Sequence, residues 1–323
     1  MKELKTLYLF GNGFDIAHNI NTPYSSFRKY LSDNQEAFLT QFEAMYHIQP
    51  LDTTEPWYSE AAQEKWEKSV LVDLWKYFEE KIGYPDVDGM HDMAESFVDS
   101  MPVEGIKDTL DVHWKEQYRF AESFQKYVME WLETLNISNS SCKKKELLNN
   151  KTDMFINFNY TDTLERIYKI DNVLHIHGGL PSCSKIPPIM GHGNKYIIDL
   201  YRRKAKKARE EFIEWEESIC NAIANYCTSL YKDTDRIISF NEDFFSSISD
   251  VERIVCLGIS FGDVDVPYLN RIIEEIDCTT KWIAYYYTSE DLERLKNVFG
   301  ILGISRKFEV YFLHSDKFWD TSI

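Results

Sequence analysis

The chain has 323 residues, of which 44% are hydrophobic, and a formal net charge of -17 with a pI near 4.9. This length and apolar content can bury a sizeable core, as one large domain with insertions or as two domains of ordinary size. The acidic balance argues against nucleic acid as a partner, because phosphate binding depends on clustered Lys and Arg.

Short apolar runs separated by long helical stretches predict an α/β fold with a mostly parallel, Rossmann-like sheet and large all-helical insertions. The predicted strands, in chain order, cover residues 6–10, 154–157, 173–177, 253–257, 282–287 and 307–312. Helical spacing is found in residues 38–46, 61–82 and 112–135, and again in a second helical excursion over about 200–230.

This order predicts two domains. Residues 1–30 together with 150–323 form a nucleotide-binding α/β domain, which includes the helical excursion at about 196–235. Residues 31–149 form a helical insertion domain.

The cysteine pattern and the lack of long apolar stretches indicate the compartment. The six cysteines include no C-x-x-C pair, which favours reduced thiols over a zinc ribbon or a disulfide framework. No stretch approaches the roughly 20 apolar residues that a membrane span needs, and the first apolar run is too short for a signal peptide. We therefore expect a soluble cytoplasmic protein with no membrane partner.

The first predicted strand runs directly into Gly11 and Gly13. A buried strand that ends in a glycine turn is typical of nucleotide-binding loops, because glycine lets a phosphate approach the backbone amides closely. A tight turn after a core strand is the alternative interpretation.

Further polar segments follow other predicted strands. Asn157, Asn159 and Asp162 follow the second, and Gly258 and Ser260 follow the fourth. Ligand-binding groups of α/β proteins collect at such strand ends, so several of them together favour a site over folding alone.

Histidines suggest either a base or a metal ligand. His175 and His177 would face the same side if the third strand continues through both. With His192 and either Asp263 or Asp265 they could hold a metal ion. No H-E-x-x-H or C-x-x-C pattern accompanies them, so we expect no metal, a packed His175 and an exposed base at His177.

Five motifs, in this order, resemble the AbiH family of bacteriophage abortive-infection proteins. They are Gly11-Asn12-Gly13-Phe14-Asp15 with His18, Thr22, Tyr24 and Phe27; Phe158-Asn159-Tyr160-Thr161 with Leu164-Glu165; His175-Ile176-His177-Gly178; Gly191-His192-Gly193; and Gly258-Ile259-Ser260 with Asp265 and Tyr268.

The same order is more distantly similar to the sirtuin-type NAD-binding fold. That resemblance implies a sheet of sirtuin type, NAD as substrate or ligand, and Asn159 and His177 as catalytic residues. The positions implied to bind the nucleotide are Gly11, Asn12, Gly13, Phe14, Asp15, Thr22, Tyr24, Phe27, Tyr160, Thr161, His175, Gly178, His192, Gly258, Ser260 and Asp265. Asp15 would hold a ribose hydroxyl or cap the following helix.

The chain also departs from these patterns. It lacks the four-cysteine zinc module of sirtuin deacylases, and Ile16 replaces the third glycine of G-x-G-x-x-G. Thr161 stands where sirtuin-like chains often have Asp. Protein deacylation and an ordinary Rossmann dehydrogenase are therefore disfavoured.

The leading functional hypothesis is an anti-phage defence effector that binds NAD or a related nucleotide and hydrolyses its glycosidic bond. One alternative is a non-catalytic nucleotide-binding sensor or interaction module. Another is a metal-dependent hydrolase or nuclease that uses the His-x-His pair. The expected partners are a nucleotide ligand and either a further copy of the chain or a phage-derived trigger.

Overall fold

The computed structural model describes residues 4–99, 106–137 and 140–320. Its contacts divide the chain into two compact units, which are described separately. Unit 1 comprises Met1–Pro23, Met129–Ile189 and Asp233–Ile323, and unit 2 comprises Tyr24–Val128 and Met190–Lys232.

Unit 1 is built on a six-stranded sheet with the strand order β3-β2-β1-β4-β5-β6. The strands are β1 (Thr6–Phe10), β2 (Met154–Asn157), β3 (Val173–His175), β4 (Arg253–Leu257), β5 (Lys281–Tyr286) and β6 (Glu309–His314). All neighbouring strands pair in parallel. The predicted α/β, Rossmann-like sheet is therefore confirmed.

The helices of the described residues are numbered in chain order across both units. They are α1 (Asn12–Ala17), α2 (Tyr24–Asn34), α3 (Glu36–Ala44), α4 (Glu60–Asp73), α5 (Phe78–Lys81), α6 (Val87–Val98), α7 (Ile106–Gln117), α8 (Phe124–Glu133), α9 (Thr163–Tyr168), α10 (Lys195–Glu210), α11 (Glu214–Ser229), α12 (Thr234–Phe240), α13 (Glu242–Ser246), α14 (Val266–Glu275), α15 (Ser289–Ile301), α16 (Ile304–Lys307) and α17 (Asp316–Trp319). Short 3₁₀ helices cover Trp75–Tyr77, Arg119–Ser123 and Lys145–Leu147.

The alternation of side chains along β1 gives unit 1 an apolar core on each face of the sheet. Leu7 and Leu9 pack on one face with residues of α14 and α15, and Phe10 packs on the other with residues of α1 and α9. Since both faces are covered, β1 is apolar at nearly every position, as is typical of a central parallel strand.

Unit 2 is helical in its described part, and its core is rich in aromatic side chains. Phe27, Phe42, Trp75, Phe78 and Phe124 are each at most 1% exposed. Several of these rings stack or meet edge to face, as between Trp75 and Phe78, whose centroids are 4.6 Å apart. These aromatic residues serve helix packing.

The second helical excursion lies in unit 2. Its helices α10 and α11 form a hairpin, and α11 packs on α6 and α7 of the first insertion. The sequence pattern predicts this excursion, about 196–235, as part of the α/β domain. In the structure Ile219 and Ile223 of α11 are buried, and α11 packs on α6, α7 and α10 of unit 2.

Strand ends account for the smaller differences from the predicted elements. β3 stops at His175, two residues early, and the chain turns at Ile176 and His177. The predicted helix over 61–82 is interrupted after Asp73, where a 3₁₀ turn precedes α5.

Among the helices of the described ranges, none combines the length and apolar character required to cross a membrane.

Candidate functional site

The strand order of unit 1 places a topological switch point at the carboxyl edge of the sheet. After β1 the chain crosses to β2 and β3 on one side, and β4, β5 and β6 extend the sheet on the other. In open parallel sheets ligands bind where the connections diverge, and here that point lies between β1 and β4. The loops after β1, β2, β3 and β4 carry most of the site residues that the sequence predicts.

The glycines of two of these loops interlock. The amides of Gly11 and Gly13 donate hydrogen bonds to the carbonyls of Leu257 and Gly258, both at 3.0 Å. Gly258 has a φ of +69°, and a Cβ on Gly13 would lie 2.6 Å from the Gly258 Cα. The glycines therefore permit the close approach of two loops, and these two amides are already engaged within the protein.

Asp15 lies in a buried network of hydroxyl groups. Its two carboxylate oxygens accept hydrogen bonds from Thr161 Oγ1 at 2.5 Å and Thr163 Oγ1 at 2.7 Å. Burial raises the pKa of Asp15 to about 6, and the two hydroxyl donors oppose that rise. Asp15 lies inside α1, and its side chain does not cap that helix. The hydroxyl groups that it binds in the structure belong to Thr161 and Thr163.

Two asparagines connect the loop after β2 to the loop after β1. Asn157 Oδ1 accepts from the Asn159 amide at 3.0 Å, and Asn157 Nδ2 donates to the Thr161 carbonyl at 3.2 Å. Asn159 Nδ2 donates to the Gly11 carbonyl at 3.0 Å. Asn159 thus holds the first glycine loop in place from a position that is 7% exposed.

His177 lies against an acid and a set of aromatic rings. Its Nε2 is 3.6 Å from Asp265 Oδ1, and the side chains are 3% and 12% exposed. The prediction of an exposed His177 is therefore wrong, because the turn after β3 packs its ring among aromatic side chains. Its ring centroid lies 5.5 Å from that of Phe158 and 5.4 Å from that of Tyr268. An imidazole beside a carboxylate can accept a proton and be stabilised as the cation, which is the chemistry of a general base.

His175 points to different partners. Its Nε2 lies 2.7 Å from Glu165 Oε1, and its Nδ1 lies 3.8 Å from the sulfur of Cys183. The expectation that both histidines face one side depended on a strand through His177, and β3 ends before it. The turn at Gly178, where φ is +70°, redirects the chain.

The remaining predicted contacts in unit 1 are dispersed. Thr22 Oγ1 donates to Asn12 Oδ1, and Phe14 packs in the apolar core against Phe10. Tyr160 packs near His177, with centroids 6.4 Å apart. Ser260 is exposed, and its carbonyl accepts from Arg294 Nε at 2.9 Å.

Three predicted contacts lie in unit 2. Tyr24 and Phe27 stand on α2, where they pack against Phe78. His192 is 1% exposed; its Nε2 lies 3.0 Å from the Cys227 carbonyl, and its Nδ1 accepts from the Asn194 amide at 3.1 Å. Burial lowers the pKa of His192 to about 4, so this imidazole is neutral at physiological pH and structural in its contacts.

Four residues that contact the predicted site residues have no predicted role of their own: Tyr268, Glu165, Thr163 and Cys183. Tyr268 and Glu165 belong to the recognised motifs, and Thr163 follows Thr161 by two positions, so a signal existed for each. Cys183 lies in a loop with no pattern around it. Within residues 4–99, 106–137 and 140–320, no group of three or more His, Cys, Asp or Glu side chains is placed to hold a metal ion.

The chain matches no curated protein and no solved structure at a significant level. A family model described as "Bacteriophage abortive infection AbiH" matches residues 7–287, which include β1 through β5 and all four strand-end loops described above. The match covers most of the chain and confirms the family that the motifs indicate. The protein therefore belongs to the AbiH family of bacteriophage abortive infection.

Proposed function

We propose that the carboxyl edge of the unit 1 sheet binds a nucleotide and that His177, with Asp265, promotes hydrolysis of its glycosidic bond. NAD is the first substrate to test. The observation that carries this proposal is the buried His177–Asp265 pair, 3.6 Å apart, at the point where the strand order reverses.

Hydrolysis of the nicotinamide glycosidic bond requires few catalytic groups. Nicotinamide leaves NAD readily because its ring carries a positive charge in the ground state, so protonation of the leaving group is not needed. The reaction requires a positioned water and stabilisation of an oxocarbenium-like ribose. His177 would accept the proton of the water, and the Asp265 carboxylate would stabilise the imidazolium, a contribution of about 10²–10⁴ in rate.

Asn159 takes a positioning role in this scheme. Its side-chain NH₂ donates to the Gly11 carbonyl and its backbone amide donates to Asn157. Alanine at this position would keep the backbone bond and lose the bond to Gly11, which would let the loop after β1 move relative to the loop after β2. The Asn159→Ala variant should therefore weaken substrate binding as well as turnover.

In a member of an abortive-infection family, such an activity would lower the NAD of the infected host. A phage product, or assembly with further copies, would raise this activity during infection. Phage plating on cells that carry the wild-type or His177→Ala chain, with host NAD measured after infection, tests this consequence.

The direct experiment follows free nicotinamide by chromatography after incubation of the purified full chain with NAD. We expect the His177→Ala variant to lose at least 100-fold in rate, because the proton acceptor is removed. His314→Gln is the matched control, since His314 is a half-buried histidine at the end of β6, outside the proposed site. Asp265→Asn should lie between the two.

Adding the chelator EDTA to the same assay distinguishes the proposed mechanism from a metal-dependent hydrolase. Release that resists EDTA supports the proposed mechanism, and release that EDTA abolishes supports a metal-dependent hydrolase. Equal rates in wild type and His177→Ala would contradict a catalytic role for His177.

A non-catalytic nucleotide sensor is the second candidate. The polar groups of Gly11, Gly13, Asp15 and Asn159 already bond within the protein, which favours a rigid binding surface over a reactive one. This candidate predicts saturable binding of NAD or ADP-ribose by calorimetry, without product. The absence of both binding and product would remove the nucleotide proposal itself.

A further inference from the structure

We propose that Cys183, His175 and Glu165 form a second reactive site in unit 1, in which the Cys183 sulfur is a nucleophile toward small uncharged or cationic electrophiles. Neither His177 nor Asp265 belongs to it. The three side chains are connected in the order carboxylate, imidazole, thiol, which is the order that cysteine nucleophiles use.

Glu165 determines the tautomer of His175, and with it whether the ring nitrogen nearest the sulfur can act as a base. In the 2.7 Å contact, His175 Nε2 carries the proton and donates it to Glu165 Oε1, because an ionised carboxylate can only accept. In the neutral ring Nδ1 then carries a lone pair, and it lies 3.8 Å from Cys183 Sγ. The His175 side chain is 2% exposed, so packing maintains this orientation.

The resting thiol keeps its proton. Burial and the carboxylates of Glu165 and Asp162 raise the pKa of Cys183, although Arg166 opposes them. The thiol also lies 3.4 Å from the Leu180 carbonyl, a second acceptor for that proton. Reaction would therefore require transfer of the proton to His175 Nδ1 as the sulfur attacks.

The step is balanced. The sulfur forms a bond to an electrophilic carbon, the bond from that carbon to its leaving group breaks, and the leaving group takes the electron pair. The thiol proton goes to His175 Nδ1, and Glu165 stabilises the imidazolium. Because two carboxylates lie near the sulfur, anionic electrophiles are disfavoured.

Competitive alkylation of the native full chain tests the site. Iodoacetamide is the uncharged probe and iodoacetate the anionic one, and mass spectrometry follows each cysteine peptide over time. Cys142 and Cys278 are exposed and serve as internal references, and the buried Cys256 reports unfolding. We expect His175→Gln to slow iodoacetamide labelling of Cys183 at least 10-fold, with less than a twofold change at the references.

The second variant reports on charge rather than on the base. Glu165→Gln keeps an acceptor for Nε2 and removes a negative charge, so Cys183 should discriminate less against iodoacetate than in wild type. A Glu165 carboxylate that exerts no charge effect at the sulfur would leave this ratio unchanged. If His175→Gln exposes Cys256, the Glu165→Gln result decides.

Two results would overturn the proposal. One is an unchanged Cys183 rate in a His175→Gln variant whose Cys256 stays protected. The other is wild-type Cys183 that remains unlabelled after Cys142 and Cys278 have reacted completely.

Discussion

At the scale of single residues, Asp15 shows how burial changes the chemistry of a carboxyl group. It is fully buried and depends on two threonine hydroxyls in place of water. Its raised pKa, about 6, means that the folded protein holds a proton that the unfolded chain releases near pH 4. The ionised folded form is therefore the less stable one, and the stability contributed by the proton is lost as the pH rises through 6.

The Asp15→Asn variant should remove this dependence, because an amide does not titrate. Wild type should lose roughly 2 kcal/mol of stability between pH 4 and pH 7 through Asp15, so the free energy of unfolding of the variant should rise by that amount relative to wild type over this range. Urea denaturation at low protein concentration measures this difference across the range. Parallel curves for the two proteins would show that Asp15 does not titrate there.

Two glycines provide a matched test of the interlocked loops. Gly13→Ala would place a methyl group against the Gly258 backbone and should cost about 1–3 kcal/mol of stability. Gly300→Ala, in helix α15, meets nothing within 4 Å and should gain about 0.5–1 kcal/mol. Thermal unfolding of both variants checks the signs, and a neutral Gly13→Ala would contradict the close approach of the loops.

At the scale of elements, the sequence predicts regular segments well and their ends less well. β1, β2 and β4 match the predicted strands residue for residue, because buried central strands are short apolar runs with clear limits. β5 and β6 lie toward the edge, where buried and half-exposed positions mix, and they are shifted by one or two residues. The early end of β3 depends on the turn at Gly178, which no periodicity reveals.

Helix packing in unit 2 depends on a buried ion pair. Lys232, which follows α11, is 0% exposed, and its Nζ lies 3.0 Å from Glu79 Oε1 on α5. The contribution of this ion pair to the stability of the protein can be tested, because a buried charge without its partner destabilises the fold.

The Lys232→Met variant should lose about 3–5 kcal/mol, since it leaves the Glu79 carboxylate in a nearly buried position. The Lys232→Met/Glu79→Gln double variant should recover part of that loss. Chemical denaturation of the two variants and of Glu79→Gln completes a double-mutant cycle. A zero coupling energy would show that the pair contributes nothing specific.

At the scale of the whole molecule, the sequence predicts the class of fold and the set of strand-end loops, but not which side chains meet. The His177–Asp265 contact joins loops that follow β3 and β4, which are not neighbours in the sheet. The Asn159–Gly11 bond spans 148 residues. Such contacts depend on strand order and on turns, and local patterns of a single sequence contain neither.

The net charge of -17 gives a prediction for the whole chain. Charge repulsion between molecules vanishes near the pI of about 4.9, so self-association should be strongest there and weakest above pH 7. Light scattering against pH measures it, with added salt at pH 8 as a control for screening. Scattering that is flat across the pI would contradict a dominant role of net charge.

The two neighbours of β1 also determine when the site can exist. β1 pairs with β4, whose first residue is made 247 residues after its partner in β1. At synthesis rates of about 5–20 residues per second, β1 waits on the order of 12 to 50 seconds on the ribosome for that neighbour. Until then the loop after β4, which leads to Asp265 at the start of α14, has not been made, so incomplete nascent chains lack part of the site. The complete site can form only after translation has passed this loop.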